Sequence, residues 1–590
     1  MLSTLTKKIT YSNLLLIFAT ILFFSCQKDL SLEDGRTVVT PPDLSTKVSS
    51  SVSGFVTDEN NAAVKNATVQ FGASTITTDK YGYFEAKNVQ VIKEAAVVTV
   101  NKPGYFKGIK TYMPKEGKAA FFRLKLIPKT TAGNINAAAG GVVTLSNGLS
   151  VKLPAAAVVN AATNAAYTGT VHVAAYWINP EAADLNQVMP GDLRGINTDG
   201  AIKLLQTFGM AAIELTGASG ELLQIAGSKK ATLTLTIPPS LSATAPATIP
   251  LWYFDEAKGL WKEEGSATKT GNTYAGEVSH FSFWNYDYPG PLVQFDCTLK
   301  DLAGNPIPNV VVKLSAPAIP TYGYGYTDAS GYVSGPVPAN TQLILEVFSV
   351  YYCTTPIYTQ TFTTTNVNIS LGNITIPANT VTVSGTATNC NNNPITNGYI
   401  ILLNNGVYSW YPLNNGVFSF STIICNNPSF VTLVAEDLTS MQQSTPYNTN
   451  LVSGTNTIGN LQACNNSIAE FLNYTINGTN YAYTAPADSV TYTRDLSQCW
   501  VSGNIIGSMN PSYLVFAASG IGLNSLQLLS SFNTPQMQNT NIQNPISVHI
   551  TEYGAIGEFV SGNFSGTFVY FQPPNTVYNV TCNFRTRRTF

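Results

Sequence analysis

The strongest structural signal in the sequence is residues 52–84, VSGFVTDENNAAVKNATVQFGASTITTDKYGYF. Residues 52–57 alternate along the chain with the two-residue period of a β-strand. Residues 58–61 have the composition of a turn, and residues 67–71 form a second strand pattern. Residues 78–82, Thr-Asp-Lys-Tyr-Gly, indicate another turn, whose glycine can adopt the positive φ that a tight turn requires. The whole stretch therefore predicts a small β module.

The same order of strands and turns returns twice further along the chain. Residues 295–314, FDCTLKDLAGNPIPNVVVKL, are followed by YTDASGYV at 326–333. Residues 381–403, VTVSGTATNCNNNPITNGYIILL, are followed by NNGVFSF at 414–420. Self-similarity of this kind indicates a repeated structural unit. All three segments resemble the carboxypeptidase regulatory-like domain, a small transthyretin-like β-sandwich, which implies a spacer or binding module without an active site.

Three aspartates at these turns are candidate calcium ligands: Asp58, Asp79 and Asp328. Aspartate in a turn more often accepts hydrogen bonds from nearby backbone amides. We expect the second role.

The stretch between the first two repeats is different. It begins AAAGGVVTLSNGLSVKLPAAAV (137–158), where Ser-Asn-Gly at 146–148 predicts a hairpin. Further alternating strands contain Leu-Trp-Tyr-Phe-Asp, Gly-x-Trp-x-x-x-Gly and His-Phe-Ser-x-Trp-Asn. Together these pieces resemble the ZU5 β-sandwich and the related extracellular domain of cartilage intermediate layer protein. The resemblance implies a fold and transfers no catalytic residue. Helix signals in the mature chain are confined to one short turn at 181–187.

The N-terminus carries an export signal. Two lysines precede an apolar run at 14–24 that is too short to span a bilayer comfortably. The run ends in Ser25-Cys26, which resembles the lipobox of bacterial lipoproteins and implies acylation of Cys26 after cleavage. Gln-Lys-Asp at 27–29 resembles the signal that sends Bacteroidetes lipoproteins to the outer face of the outer membrane. The alternative is an ordinary secretory signal with an unrelated cysteine. The sequence leaves open whether the anchored chain faces the cell surface or the periplasm.

These signals predict an all-β chain of tandem β-sandwich domains, transthyretin-like or Ig-like, behind a lipoprotein signal peptide. The C-terminal part has an Asn-Gly hairpin turn at 477–478 and resembles C-terminal β domains of Bacteroidetes lipoproteins. The expected organisation is a signal peptide (1–25), a lipidated tether (26–48), a regulatory-like sandwich (49–128), a ZU5-like domain (129–290), second and third regulatory-like sandwiches (291–378 and 379–464) and a C-terminal β domain (465–590).

Eight cysteines occur, and acylation of Cys26 would leave seven, all after residue 290. An exported chain can form disulfides. The favoured pairs are Cys297–Cys353 and Cys499–Cys582, because each lies within one expected domain. Among the other three cysteines, at 390, 425 and 464, the sequence favours no pair.

EVSHFSFWNY, residues 277–286, raises the question of a catalytic or metal site, since the chain has only three histidines. In a strand, His280 would share a face with Val278, Ser282 and Trp284, and both faces would be apolar or aromatic. A zinc site needs three or four converging ligands, and His172 is the other histidine of this domain. We therefore expect His280 to be a packing residue, and we expect no metal, cofactor or catalytic residue.

Four aromatic residues are candidate ligand contacts. Trp252 and Trp261 lie near Asp255, Glu256, Glu263 and Glu264, a combination that suits a sugar-binding platform or, alternatively, a hydrolytic site. The competing interpretation places both tryptophans in the core and the acids on a solvated hairpin. Tyr324 and Tyr326 alternate with glycine in a predicted loop, which is a candidate contact surface. The alternative is ordinary turn chemistry.

The function expected from the sequence is that of a non-catalytic binding, adhesion or structural scaffold, lipid-anchored in the cell envelope. The alternative is a carbohydrate-binding or hydrolytic accessory protein that uses carboxylates of the 129–290 domain. Charged residues are only 11% of the chain and the formal net charge is −2, so no basic field for nucleic acid exists. The expected partners are a membrane, through the acyl anchor, and a glycan or envelope protein.

Overall fold

The computed structural model describes residues 41–588, except 318, 350–354, 378, 405–406, 486–487, 506–509, 555–557 and 571–575. The predicted lipidation site Cys26 and the cysteine at position 353 lie outside the described residues. The chain is almost entirely β-structure, which confirms the predicted fold class. Within the described ranges, no helix has both the length and the apolarity needed to cross a membrane.

The first sandwich shows how the alternating sequence makes two packed sheets. Its strands are β1 (Lys47–Thr57), β2 (Thr68–Phe71), β3 (Ser74–Thr77), β4 (Tyr83–Ile92), β5 (Ala96–Asn101), β6 (Gly108–Tyr112) and β7 (Ala119–Lys125). One sheet has the order β4-β1-β7 and the other β3-β2-β5-β6. Val52 and Val56 of β1 point inward onto Val69 and Val98 of the facing sheet, so the period-two pattern becomes the core.

The second and third sandwiches repeat this design. The second contains β21 (Leu292–Lys300), β22 (Val311–Ala316), β23 (Ile319–Tyr326), β24 (Tyr332–Pro338), β25 (Gln342–Phe348), β26 (Tyr358–Thr363) and β27 (Ile369–Thr375). The third contains β28 (Thr380–Asn389), β29 (Gly398–Asn404), β30 (Val407–Pro412), β31 (Val417–Ile423), β32 (Ser429–Asp437), β33 (Gln442–Gln443), β34 (Tyr447–Leu451), β35 (Gly454–Ala463) and β36 (Asn466–Ser467). In all three sandwiches the first strand is central in a three-stranded sheet, antiparallel to one neighbour and parallel to the other.

The turn aspartates cap backbone amides, as expected. Asp58 accepts hydrogen bonds from the amides of Asn60 and Ala62 at 2.9 and 2.8 Å. Asp79 accepts from residues 81 and 83, and Asp328 accepts from residues 330 and 332, at 2.8–2.9 Å. These bonds fix the turns.

The large domain lies between the first two sandwiches in sequence. Its elements are β8 (Thr131–Asn136), β9 (Gly141–Thr144), β10 (Ser150–Leu153), β11 (Val158–Asn160), β12 (Thr170–Ile178), α1 (Leu185–Val188), β13 (Arg194–Ile196), β14 (Ile202–Thr216), β15 (Leu222–Ile225), β16 (Ala231–Thr236), a 3-10 turn (Pro239–Leu241), β17 (Thr248–Asp255), β18 (Leu260–Thr270), β19 (Thr273–Val278) and β20 (Phe283–Gly290). The predicted hairpin joins β9 to β10, with Gly148 at a φ of 88°. One face of this 13-stranded sheet encloses a core of its own, and the other face packs on the first sandwich.

The C-terminal domain folds one antiparallel sheet around a single core. Its strands are β37 (Phe471–Ile476), β38 (Thr479–Thr484), β39 (Asp488–Arg494), β40 (Gln498–Ile505), β41 (Ser512–Ala517), β42 (Leu526–Asn533), β43 (Thr540–Ile542), β44 (Ser547–Tyr553), β45 (Phe559–Tyr570) and β46 (Val577–Arg587). The Asn477-Gly478 turn has φ values of 49° and 84° and joins β37 to β38, as predicted.

The expected cysteine pairs are wrong. Cys297, Cys499 and Cys582 are buried free thiols. Cys499 lies on β40 and Cys582 on β46, and four other strands separate these two in the sheet. A disulfide instead joins Cys390 to Cys464, because the parallel pairing of β28 with β35 ends at the two preceding residues. Cys425 is also disulfide-bonded.

Candidate binding cleft

The domains are clustered around the first sandwich, which contacts each of the other four. It packs on the large domain through Phe106 and Ile109 and on the third sandwich through Tyr81. Lys118 donates to Ser330 of the second sandwich at 2.8 Å, and Lys65 donates to a backbone carbonyl of the C-terminal domain at 2.9 Å. This arrangement leaves a cleft where three domains meet.

The cleft has a volume of about 190 Å³ and lies between the first and second sandwiches, with the segment after α1 beneath it. Six aromatic side chains line it: Tyr112, Phe121, Phe122, Tyr324, Tyr326 and Tyr332. Tyr326 meets Phe121 edge-on across the domain boundary, with ring centroids 5.7 Å apart. The structure thus places the predicted contact residues Tyr324 and Tyr326, both half-buried, in a concave surface shared by two domains.

Basic side chains surround these rings. The ammonium groups of Lys115 and Lys118 lie 4.7 and 5.4 Å from the centre of the Tyr332 ring, a cation–π arrangement. The Arg123 guanidinium lies 5.9 Å from the Phe121 ring. Lys115 also approaches Asp296 at 3.5 Å. The rim of the cleft therefore combines aromatic faces with positive charge.

The floor of the cleft holds a buried lysine. Lys110 is 3% exposed, and its Nζ donates to the carbonyls of Asn186 and Met189 at 2.7 and 2.6 Å. Burial lowers the pKa of Lys110 to about 7, against the favourable field of Asp192. Burial likewise raises the pKa of Asp192, although Arg194 pairs with that carboxylate at 2.8 Å. Asp192 is the only acidic residue among the described residues that line the cleft.

The other predicted contact residues do not reach any surface. Trp252 and Trp261 are both 0% exposed, and they pack in the apolar contact between the large domain and the first sandwich. Their indole nitrogens donate to the carbonyls of Asp287 and Asp192 at 3.1 and 2.9 Å. The prediction of a tryptophan platform is wrong because a neighbouring domain covers the sheet face on which both rings lie.

The four acids near these tryptophans serve separate local contacts. Asp255 caps the hairpin between β17 and β18, and Glu256 forms an ion pair with Lys107 at 2.5 Å. Glu263 accepts a bond from the Thr198 amide, and Glu264 accepts one from the Ser279 hydroxyl. They therefore bind four different partners and do not converge on one point.

His280 is a packing residue, as expected, although it lies in a bend between β19 and β20 instead of within one continuous strand. Its ring meets Tyr253 edge-on at 4.7 Å and lies 5.1 Å from Trp284. Burial lowers the pKa of His280. His172, which contacts Asn134, is on β12. Across the described part of the chain, no group of three or more metal-ligating side chains is found.

One buried ion cluster was not predicted from the sequence. Glu436 of the third sandwich is 0% exposed, and it pairs with Lys80 of the first sandwich at 3.0 Å and with Arg587 of the C-terminal domain at 2.7 Å. The Tyr81 hydroxyl donates to the same carboxylate. Burial alone would raise the pKa of Glu436, but the two cations outweigh it and lower that pKa. No local sequence signal marks a three-domain contact.

No family model matches the chain, and no curated protein matches it. Among solved structures, the shaft pilin SpaA from Lactobacillus rhamnosus GG is 8% identical, with a TM-score of 0.18 over 29% of this chain and 96% of the pilin. A streptococcal ancillary pilin is 10% identical, with a TM-score of 0.14 over 40% of this chain and 100% of the pilin. The Bacillus anthracis TIE protein is 9% identical, with a TM-score of 0.15 over 61% of this chain and 73% of that protein. At these values the likeness carries no argument about function.

Proposed function

We propose that this chain is a non-catalytic binding and adhesion scaffold of the cell envelope, with the cleft between the first and second sandwiches as its contact site. The observation that carries the proposal is the lining of that cleft, where six aromatic rings from two domains are bordered by Lys115, Lys118 and Arg123. Aromatic faces stack on sugar rings, and exposed cations attract carboxylate or sulfate groups. The ligand class that fits is a saccharide bearing acidic groups.

Binding to acidic and neutral oligosaccharides on an array tests this assignment. We expect acidic glycans to be retained and Tyr326→Ala to weaken binding at least tenfold, because that ring forms part of the wall shared by both domains. Tyr288→Ala is the matched control, since Tyr288 is 54% exposed on the large domain and does not line the cleft. Equal binding by both variants, or retention of neutral glycans only, would contradict the proposal.

We also propose that the chain is held in the outer membrane by acylation of Cys26 and faces outward. The support is the apolar run before Ser25-Cys26 and the Gln-Lys-Asp sequence that follows it. An acyl chain contributes roughly 0.8 kcal/mol per buried methylene, so several chains on one residue hold a protein firmly. Cys26→Ser should move the protein from the membrane fraction to the soluble fraction. Protease treatment of intact cells separates an outward-facing chain from a periplasmic one.

A further inference from the structure

A buried polar trio in the large domain has no part in the cleft. Thr207 on β14 and Asn285 and Asp287 on β20 are 1%, 0% and 0% exposed. They lie on the sheet face that carries Leu205 and Phe283, which pack toward the first sandwich. Water is therefore kept away from all three side chains.

The strand pairing aims the three side chains at one another. Thr207 is directly opposite Asp287, and the register then shifts before Met210 pairs with Asn285. Gly209 lies in this bulge at a φ of 142°, and its amide donates to Thr207 Oγ1 at 3.0 Å. Bulges of this kind redirect a side chain relative to the regular pleat.

The contacts within the trio bring a hydroxyl, a primary amide and a carboxyl group together. Thr207 Oγ1 lies 2.8 Å from Asn285 Oδ1, and Asn285 Nδ2 donates to Asp287 Oδ2. Thr207 also interacts with the Asp287 carboxyl group. The hydroxyl that could attack thus contacts the amide oxygen of Asn285, and the Asp287 carboxyl group contacts the amide nitrogen that could leave.

The surroundings favour the protonated form of this carboxyl group. Burial raises the pKa of Asp287 well above its usual range, and the bonds from Thr207 and Asn285 lower it less. Among the described residues no cation pairs with Asp287, and its Oδ1 has no hydrogen-bond partner there. A neutral carboxyl group can accept a proton on one oxygen while it donates one from the other, which is general acid–base catalysis by a single residue.

From this geometry we propose that Thr207 and Asn285 form an intramolecular ester that covalently joins β14 to β20. Thr207 Oγ1 bonds to Asn285 Cγ, and the Cγ–Nδ2 bond breaks with its electron pair on nitrogen. The hydroxyl proton passes to Asn285 Oδ1, which the hydroxyl already contacts. Asp287 then delivers its own proton to Nδ2 and takes the proton from Asn285 Oδ1, so ammonia leaves and the carbonyl and carboxyl groups are regenerated. Close approach in a water-free site favours attack by the hydroxyl over hydrolysis. This inference is independent of the proposed ligand and anchor.

Mass spectrometry of the purified full chain tests the ester directly. We expect a mass lower than the sequence predicts by one ammonia molecule, and a protease digest in which the peptides containing Thr207 and Asn285 remain joined. The joined peptide is essential, because cyclisation at an Asn-Gly pair such as 147–148 also releases ammonia without a cross-link. Hydroxylamine should separate the two peptides, because it cleaves esters and, among peptide amides, attacks Asn-Gly bonds, none of which lies between Thr207 and Asn285. Separate peptides of unmodified mass from the wild-type chain would overturn the proposal.

Variants of Thr207 and Asp287 test the role of each residue in forming the ester. Thr207→Val and Asp287→Asn should each restore the full mass and abolish the joined peptide, whereas Thr207→Ser keeps a hydroxyl and should retain it. Thr432 and Asn448 provide the matched control, since their side chains meet across β32 and β34 at 2.7 Å but are exposed to water. Thr432→Val should leave the mass deficit unchanged. A joined peptide that persists in Asp287→Asn would contradict the role given to Asp287, and the wild-type measurement decides the ester even if a variant fails to fold.

Discussion

Two turns with nearly the same sequence make different contacts between domains. Thr-Asp-Lys-Tyr-Gly-Tyr (78–83) in the first sandwich and Thr-Asp-Ala-Ser-Gly-Tyr (327–332) in the second differ only at their third and fourth positions. The first turn inserts into the third sandwich, where Lys80 and Tyr81 meet Glu436. The second turn receives the Lys118 side chain of the first sandwich on Ser330.

The positions that the turns share build the same local structure. Thr78 Oγ1 donates to the Val64 carbonyl at 2.6 Å, and Thr327 Oγ1 donates to the Ile307 carbonyl at 2.7 Å. Gly82 and Gly331 have φ values of 74° and 75°. The common residues therefore fix the turn and also touch the partner domain, since Asp79 accepts from Tyr399 and Asp328 accepts from the Ala119 amide. The two variable residues add contacts that differ between the turns.

The largest expected loss of stability comes from a substitution that breaks the contact made by the first turn. Glu436→Ala removes the buried carboxylate that Lys80 and Arg587 share, which should lower the free energy of unfolding by roughly 3–5 kcal/mol. Glu346→Ala is the control, because its ion pair with Lys313 is partly exposed and should cost about 1 kcal/mol or less. Urea unfolding measures the free energy of unfolding of both variants. Similar losses in the two would contradict the expectation that the buried ion cluster contributes more than the partly exposed ion pair.

The pH dependence of the folding stability should reflect the same buried ion cluster around Glu436. The lowered pKa of Glu436 means that its contribution to stability is present above its ordinary value of 4.5 and is lost as the pH falls below that value. Glu436→Ala should therefore flatten the acid side of the stability curve relative to the wild-type chain. A curve of unaltered shape in Glu436→Ala would contradict the assignment.

An intermediate loss of stability is expected when the glycine that the two turns share is substituted. Gly82→Ala and Gly331→Ala would place Cβ 2.2 and 2.3 Å from the carbonyl oxygens of Val56 and Leu299, in a backbone conformation that favours glycine. Each should cost about 2 kcal/mol or more. Gly304→Ala has the same backbone requirement but open space, and should cost about 1 kcal/mol. Thermal denaturation of the three variants would reveal whether the clash matters.

The smallest expected losses of stability come from substitutions at the positions where the two turns differ, Tyr81 and Ser330. Tyr81→Phe removes one bond to a buried carboxylate and should cost about 1.5 kcal/mol. Ser330→Ala removes a partly exposed contact and should cost under about 0.5 kcal/mol. Equal losses in urea unfolding would mean that the two turns contribute alike to the domain contacts.

Local features of the chain were predictable because short-range chemistry determines them. Asp79 and Asp328 cap turns that their own neighbours form, and the Asn477-Gly478 turn needs only its two residues and the strands beside it. Tyr324 and Tyr326 were predicted to lie in a loop, and that is wrong because they belong to β23. Their role as contact residues stays a prediction, and the sequence did not indicate the concave wall that they form with Phe121.

Contacts between distant segments were decided by the tertiary structure alone. Trp252 and Trp261 are buried because the first sandwich covers their sheet face, and strand alternation reveals that a residue faces one side without revealing what lies there. Cys390 bonds to Cys464 because the first and last strands of the third sandwich run parallel in one register. The sequence by itself therefore determined the strands, the turns and the repeated sandwich. Only the packing of whole domains decided which aromatic rings line a cleft, which cysteines meet and where Glu436 finds its two cations.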